Sequence, residues 1–340
     1  MDDLERHLGE EPAESTAGMW RTCTRYIVED MAEDYKGGRL TRREFLRRLV
    51  LFTGSMPLAL GLAASLGCGP EATPTPTPAA TPSPSPTPAT PTPTPEPGVT
   101  VRPDDPALEA GMVEFRSNGI TLFGYLARPK PTGTYPAVLV IHENRGLVPP
   151  HYPDVARRLA KEGYVALAID LVSREGGTAR IGDEAQIVSL IGQVSRDQPQ
   201  RLVEDMNAGI RYLQGLSYVR RDRVGAFGFC FGGGMVWLLA VRNPELRAAV
   251  PFYGPRPPLE EVPNLRAAVL GIYGGNDARI NAGIPDLEEA LKAQNKTHRF
   301  ITYPGADHAF FNDTSPRYHP EASKAAWGET LAWLQRYLKG

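Results

Sequence analysis

Five short runs of nearly unbroken hydrophobicity, set at intervals through the second half of the chain, constrain its fold more than any other feature. They are AVLVIH (137–142), YVALAID (164–170), RVGAFGF (223–229), AAVPFY (248–253) and AAVLGIYG (267–274), and THRFITY (297–303) adds a sixth strand candidate. Continuous rather than alternating hydrophobicity marks strands buried on both faces, as in a parallel sheet. Helical patterns separate them. YPDVARRLAKEG spaces Val155 and Leu159 four apart, RLVEDMNAGIRYLQGL puts Leu202, Met206, Ile210 and Leu213 on one face, and IPDLEEALKAQN and EASKAAWGETLAWLQRYL continue the alternation. The order predicts one α/β domain with a doubly wound, mostly parallel sheet. MVEFRSNGITLFGYLARP (112–129), with Asn118-Gly119 at its centre, predicts an antiparallel hairpin opening the domain. In such sheets function collects in the loops at the carboxyl ends of the strands.

The first hundred residues have a different character. LTRREFLRRLVLFTGSMPLALGLAASLGCG runs from a basic block (Arg42, Arg43, Arg47, Arg48) through an apolar stretch to Leu66-Gly67-Cys68. That is the layout of an export signal. TRREFLR resembles the twin-arginine signal, and SLGC resembles the lipobox of bacterial lipoproteins, which implies a lipid on Cys68. An uncleaved membrane anchor is the alternative reading. The preceding Met1–Leu40 is long for such a signal and reads partly as an acidic amphipathic helix. After Cys68 a Pro/Thr/Ser repeat lacks the apolar side chains for a core, and its prolines hold it extended as a spacer. The chain therefore divides into an N-terminal extension with an export signal (1–68), a linker (69–101) and a catalytic domain (102–340). The domain is expected outside the cytoplasm, held at the outer face of a membrane or in the cell envelope.

A net charge of −2 gives no electrostatic reason to expect nucleic-acid binding. Only Cys23, Cys68 and Cys230 are present, so a disulfide framework is excluded. With no CxxC pair and no HExxH, neither a bound metal nor a cofactor is expected. If cleavage removes Cys23 and lipid takes Cys68, Cys230 is the one free thiol.

Cys230 lies in GFCFGG, directly after the run 223–229 and before a helical pattern. Gly228-x-Cys230-x-Gly232 is a nucleophile-elbow pattern with cysteine in the usual serine position. Its glycines give room where a strand turns sharply into a helix. A helix amino end also favours a thiolate. An inert buried cysteine is the plain alternative. An acid and then a histidine should follow in chain order. Asp277, in GGND, and His308, in DHAF, each fall just past a separate predicted strand. Cys230, His308 and Asp277 thus form a coherent nucleophile, general base and orienting acid.

Taken together, the hairpin, IHENRG, DL..R, GFCFGG, GGND and DHAF resemble the dienelactone hydrolase family of α/β-hydrolases over about residues 105–340. The resemblance implies hydrolysis of a small-molecule ester or lactone of the carboxymethylenebutenolide type through an acyl-enzyme, and the protein is expected to act as a monomer. It also implies that Glu143 meets the resting thiol, that the backbone amides of Phe231 and Asn144 hold the oxyanion, and that Arg174 grips a substrate carboxylate. The family's second arginine, four residues past the histidine, is Asn312 here. Val172 stands where a tyrosine is common, so carboxylate recognition is weaker or shared with Arg145. Two other readings stay open. One is a broad carboxylesterase acting on extracellular acylated substrates, and the other a non-catalytic binding lipoprotein on the same fold. A redox role for the thiol is a further alternative.

Overall fold

The computed structural model describes residues 16–68 and 98–340 apart from Pro149. The Pro/Thr/Ser tract expected as a linker lies outside the described residues, except for its last four positions. There the backbone amides of Thr100 and Val101 already donate to Asp154 Oδ1 at 3.0 and 2.7 Å.

Among the described residues eight strands form one sheet. They are β1 (Leu108–Ser117), β2 (Ile120–Pro129), β3 (Tyr135–Ile141), β4 (Val165–Ile169), β5 (Val219–Phe229), β6 (Ala248–Phe252), β7 (Ala268–Gly274) and β8 (His298–Tyr303). Their order is β1-β2-β4-β3-β5-β6-β7-β8. The hairpin β1–β2 pairs antiparallel, with Ser117 opposite Ile120, and β2 joins β4 antiparallel. From β4 onward every pairing is parallel. Side chains explain this: in β3, Ala137, Leu139 and Ile141 enter one hydrophobic cluster while Val138 and Val140 enter the other. Both faces are covered, as a parallel strand requires.

Among the described residues three helices precede the sheet: α1 (Thr16–Lys36), α2 (Arg42–Thr53) and α3 (Met56–Ser65). Within the domain follow α4 (His151–Lys161), α5 (Glu184–Asp197), α6 (Pro199–Gly215), α7 (Phe231–Arg242), α8 (Ile284–Ala293) and α9 (Pro320–Leu334). Side chains of α4 and α9 join one face's cluster, and those of α5, α6, α7 and α8 the other.

The segment that reads as an export signal is folded onto the domain. Thr41 and Glu44 close a reciprocal capping box at the start of α2. Phe45, Leu49 and Phe52 of α2 are buried. The Phe52 ring fills the space beside Gly192 of α5, where a Cβ would stand 2.3 Å from it. Ser189 Oγ donates to the Leu51 carbonyl at 2.7 Å, and Arg47 and Arg48 pair with Asp183 and Glu184 at 2.6 and 2.9 Å. Cys68 is buried at the end of this segment. Among the described residues no single helix is long and apolar enough to cross a membrane. The pair α2 and α3, bent by 116°, passes together by length and composition.

Candidate active site

The order of strands reverses around β3: β4 lies on one side of it and β5 on the other. A crevice opens at such a switch point, outside the carboxyl ends of the strands. β3 ends at Ile141 and delivers Glu143 and Asn144 to that crevice, while β5 ends at Phe229 and delivers Cys230. The site lies here. A larger groove of 720 Å³, lined by Arg211, Arg221, Asp222 and Arg247, sits by the opposite ends of the strands and offers no nucleophile.

Cys230 is the residue between β5 and α7, and its backbone holds φ 54°, ψ −118°. A side chain in that region is strained, a cost of order 1–3 kcal/mol that persists only where the surroundings fix the backbone. Here they do. The Cys230 amide donates to the Phe252 carbonyl at 3.0 Å and the Cys230 carbonyl accepts from the Gly234 amide at 3.1 Å. The flanking glycines are required by close approach: a Cβ on Gly232 would stand 2.4 Å from the Ile141 carbonyl oxygen, and one on Gly228 2.5 Å from that of Gly232. The turn leaves Cys230 half-buried at the amino end of α7.

β7 and β8 supply the partners. Asp277 follows β7 and caps the short helix Ala278–Asn281, its Oδ1 accepting from the Ile280 amide at 3.3 Å. Its Oδ2 lies 2.5 Å from Nδ1 of His308, which follows β8. That bond places the ring proton on Nδ1 and turns Nε2 toward the cavity shared with Cys230. Nε2 is buried in that cavity, where the ring interacts with the Cys230 thiol. Burial lifts the Cys230 thiol above its ordinary pKa, against the opposing pull of His308. Burial opposes charge on His308 too, but negative charge on Cys230 and Asp277, with their hydrogen bonds, outweighs it, so the ring holds its proton well above the usual range. Asp277 is desolvated, yet His308 keeps its carboxyl below the ordinary value.

Glu143 is brought to the site but is held by other partners. Its Oε2 accepts from Asn312 Nδ2 at 3.2 Å and its Oε1 from the Tyr253 hydroxyl at 3.4 Å, while its amide donates to the Tyr152 hydroxyl at 3.1 Å. Asn312, expected as a substrate contact, thus orients Glu143, and its own Oδ1 accepts from the Thr314 amide and hydroxyl. Asn144 and Phe231 line the cavity with Cys230, as an oxyanion site requires. The Phe231 amide is the first of α7, a position with no intrahelical acceptor. Arg145 is nearby, but Arg174 is not among the cavity-lining residues. The Arg174 guanidinium pairs with Asp205 at 2.6 Å on α6.

Four participants were not anticipated from the sequence. Tyr253 takes the positive φ of 36° just past β6 and sets its ring 5.0 Å from His308. Its place at a strand's carboxyl end was the available signal. His142 ties two loops together: its Nδ1 lies 2.5 Å from the Glu143 carbonyl and its Nε2 accepts from the Leu171 amide at 3.0 Å. Arg317 and Asp30 approach from distant parts of the chain, and no sequence signal marks them. A groove of 530 Å³, bordered by Glu143, Arg145, Arg317, Asp30 and Asp34, leads to Cys230 and His308. Among the described residues no cluster of three His, Cys, Asp or Glu side chains is placed to hold a metal.

A mostly parallel sheet with a strained strand–turn–helix elbow and a histidine–acid pair beyond later strands has the architecture of the α/β-hydrolase class. Within that class the chain belongs to the dienelactone hydrolase family, whose profile matches residues 122–338. A putative carboxymethylenebutenolidase of Methylorubrum extorquens is 36% identical over 249 residues, 70% of this chain and 84% of that protein. A probable 2-oxo-3-(5-oxofuran-2-ylidene)propanoate lactonase of Bradyrhizobium is 34% identical over 240 residues, 67% of this chain and 94% of its own. Among solved structures, a putative dienelactone hydrolase from Klebsiella pneumoniae superposes with a TM-score of 0.62 at 34% identity, covering 68% of this chain and all of that one.

Proposed function

We propose that this protein hydrolyses a small ester or lactone, of the carboxymethylenebutenolide type, by covalent catalysis at Cys230. The observation that carries the reading is the strained Cys230 elbow sharing one cavity with the ring of a His308 that is anchored through Nδ1 by Asp277. Family membership and the names of the relatives supply the substrate class.

His308 Nε2 takes the thiol proton as sulfur attacks the carbonyl carbon. The amides of Phe231 and Asn144 stabilise the oxyanion as it forms. Collapse expels the leaving oxygen, which receives the proton from Nε2, and leaves a thioester on Cys230. Water then attacks, again deprotonated by His308, and releases the acid and the thiol. Asp277 keeps the tautomer that presents a basic Nε2 and stabilises the imidazolium. Glu143, held by Asn312 and Tyr253, sets the negative potential under the thiol.

The test is a panel of lactones and aryl esters. Cys230→Ala is expected to lower kcat/KM on the order of 10³-fold or more. A Cys230→Ala protein hydrolysing them at the parent rate would refute the mechanism.

We further propose that the domain works outside the cytoplasm, held by lipid on Cys68. The residue order TRREFLR, apolar stretch, SLGC supports this. Metabolic labelling with a radioactive fatty acid should mark the protein and fail on Cys68→Ala. An unlabelled mature chain still beginning at Met1 would contradict it.

A further inference from the structure

Helix α1 takes no part in the chemistry proposed for Cys230, yet it lies on the site. Ile27 and Asp30 face Cys230, Phe231, Tyr253 and His308 across a space of about 10 Å³, room for a single water. Asp30 is 7% exposed. Its Oδ1 accepts from both Nη1 and Nη2 of Arg317 at 3.1 Å. Asp34, one turn on, also pairs with Arg317 and takes Arg145 at 2.9 Å. Arg279, directly after Asp277 and its neighbour, pairs with Glu29 and Glu33 of the same helix at 3.6 and 3.3 Å. Three arginines around the nucleophile are therefore matched by four acids of one helix.

Three considerations decide what that arrangement does. First, α1 to α3 lie outside the family match at 122–338, and 68% of this chain is enough to cover the whole Klebsiella structure. The segment is an addition to the matched family domain. Second, α1 fills the space above the sulfur, so a substrate acyl group and α1 exclude each other there. Third, Asp30 and Asp34 line the 530 Å³ groove that reaches Cys230, where their charge opposes an anionic ester while it satisfies Arg317 and Arg145.

We propose that α1 is a removable plug, in which Asp30 occupies the position beside Arg317 and Arg145 that a substrate carboxylate takes once the helix leaves. The proposal rests on Cys230 being the nucleophile. It makes export and activity one event: hydrolysis of the Gly67–Cys68 peptide bond, water supplying the new carboxylate and amine, frees the plug from the domain. It also relocates carboxylate recognition from Arg174, which is engaged with Asp205, to Arg317 and Arg145.

The test uses the full chain with a specific protease site placed in the Pro/Thr/Ser tract, cut and then freed of the N-terminal fragment by gel filtration. Cys230 alkylation by iodoacetamide, read on the peptide that carries it, reports access without requiring turnover. Hydrolysis of neutral p-nitrophenyl acetate and anionic mono-p-nitrophenyl succinate reports selectivity. Cutting should speed alkylation and raise kcat/KM for the succinate roughly tenfold or more, with a smaller gain for the acetate. A synthetic 16–36 peptide should restore inhibition competitively, and its Asp30→Asn version should do so poorly. In the cut protein, Arg317→Met should remove the preference for the succinate. Equal alkylation and equal kcat/KM before and after cutting would overturn the plug. If the cut protein loses its far-ultraviolet circular dichroism, Asp30→Asn in the uncut chain decides: succinate hydrolysis must rise, and an unchanged rate overturns the proposal. Faster alkylation with no hydrolysis of any ester would keep the plug and sink the hydrolase reading. Hydrolysis indifferent to cutting would do the reverse.

Discussion

Asp277 makes two bonds with one carboxylate, capping Ala278–Asn281 through Oδ1 and holding His308 through Oδ2. Asp277→Asn keeps the shape but can donate where an acceptor is needed, which favours the wrong imidazole tautomer. Its kcat is expected to fall on the order of 10³–10⁴-fold with a nearly native melting temperature. The thiol and the ring titrate as a pair, both above their ordinary values. A raised His308 is protonated, and so unable to accept a proton, to higher pH than a free histidine. The acid limb of kcat/KM should therefore lie above about pH 6.5, the ordinary histidine value. For the same reason alkylation of Cys230 should climb through neutral pH. A rate flat from acid to neutral pH would mean a resting thiolate–imidazolium pair instead. Cys230, Asp277 and His308 were legible because each follows a strand and the three fall in a recognisable order. The partners of Asp30 were not, since the Arg317–Asp30 contact spans 287 positions and leaves no local trace. Arg174 and Asn312 show the limit of transferring roles by position: each is at the expected place, but Asp205 and Glu143 had already claimed its hydrogen bonds.

At the scale of elements, the turn between β5 and α7 decides whether a site exists. Gly232 packs against the end of β3 so closely that Gly232→Ala forces the elbow away from the Ile141 carbonyl. The expected cost is about 1–3 kcal/mol, seen as a melting temperature lower by several degrees, with activity lost more than stability because Phe231 moves with the turn. An active, fully stable Gly232→Ala would show that the elbow tolerates a shift. The strands were read to within a few residues because continuous apolar runs of this length have few alternative homes in an α/β domain. α5 was not anticipated. Its buried face meets Phe52 and Leu51 of the N-terminal segment as well as the domain, so its apolar positions serve two partners and show no clean single stripe.

For the whole molecule, composition separated the N-terminal hundred residues from the domain but could not show that α1 to α3 fold back on it. The basic and apolar residues that read as an address also make a docking surface. The Arg47–Asp183 and Arg48–Glu184 pairs are exposed or partly so and contribute little each, so the apolar contacts of Phe45, Leu49 and Phe52 hold the segment in place. Phe52→Ala should loosen it by about 3–5 kcal/mol if the space stays empty, less if α5 relaxes. Proteolysis between α3 and the domain should then strip the segment faster than from the parent.

The central claim is that sulfur of Cys230 carries the acyl group during turnover. Rapid acid quench of the enzyme with p-nitrophenyl acetate, followed by mass spectrometry of the peptide spanning residues 224–242, measures it directly. The account predicts one acetyl group on Cys230, appearing with a burst of p-nitrophenol and persisting longer in an Asp277→Asn protein. Steady release of p-nitrophenol with no acetyl on that peptide, or with acetyl on another residue, would contradict it.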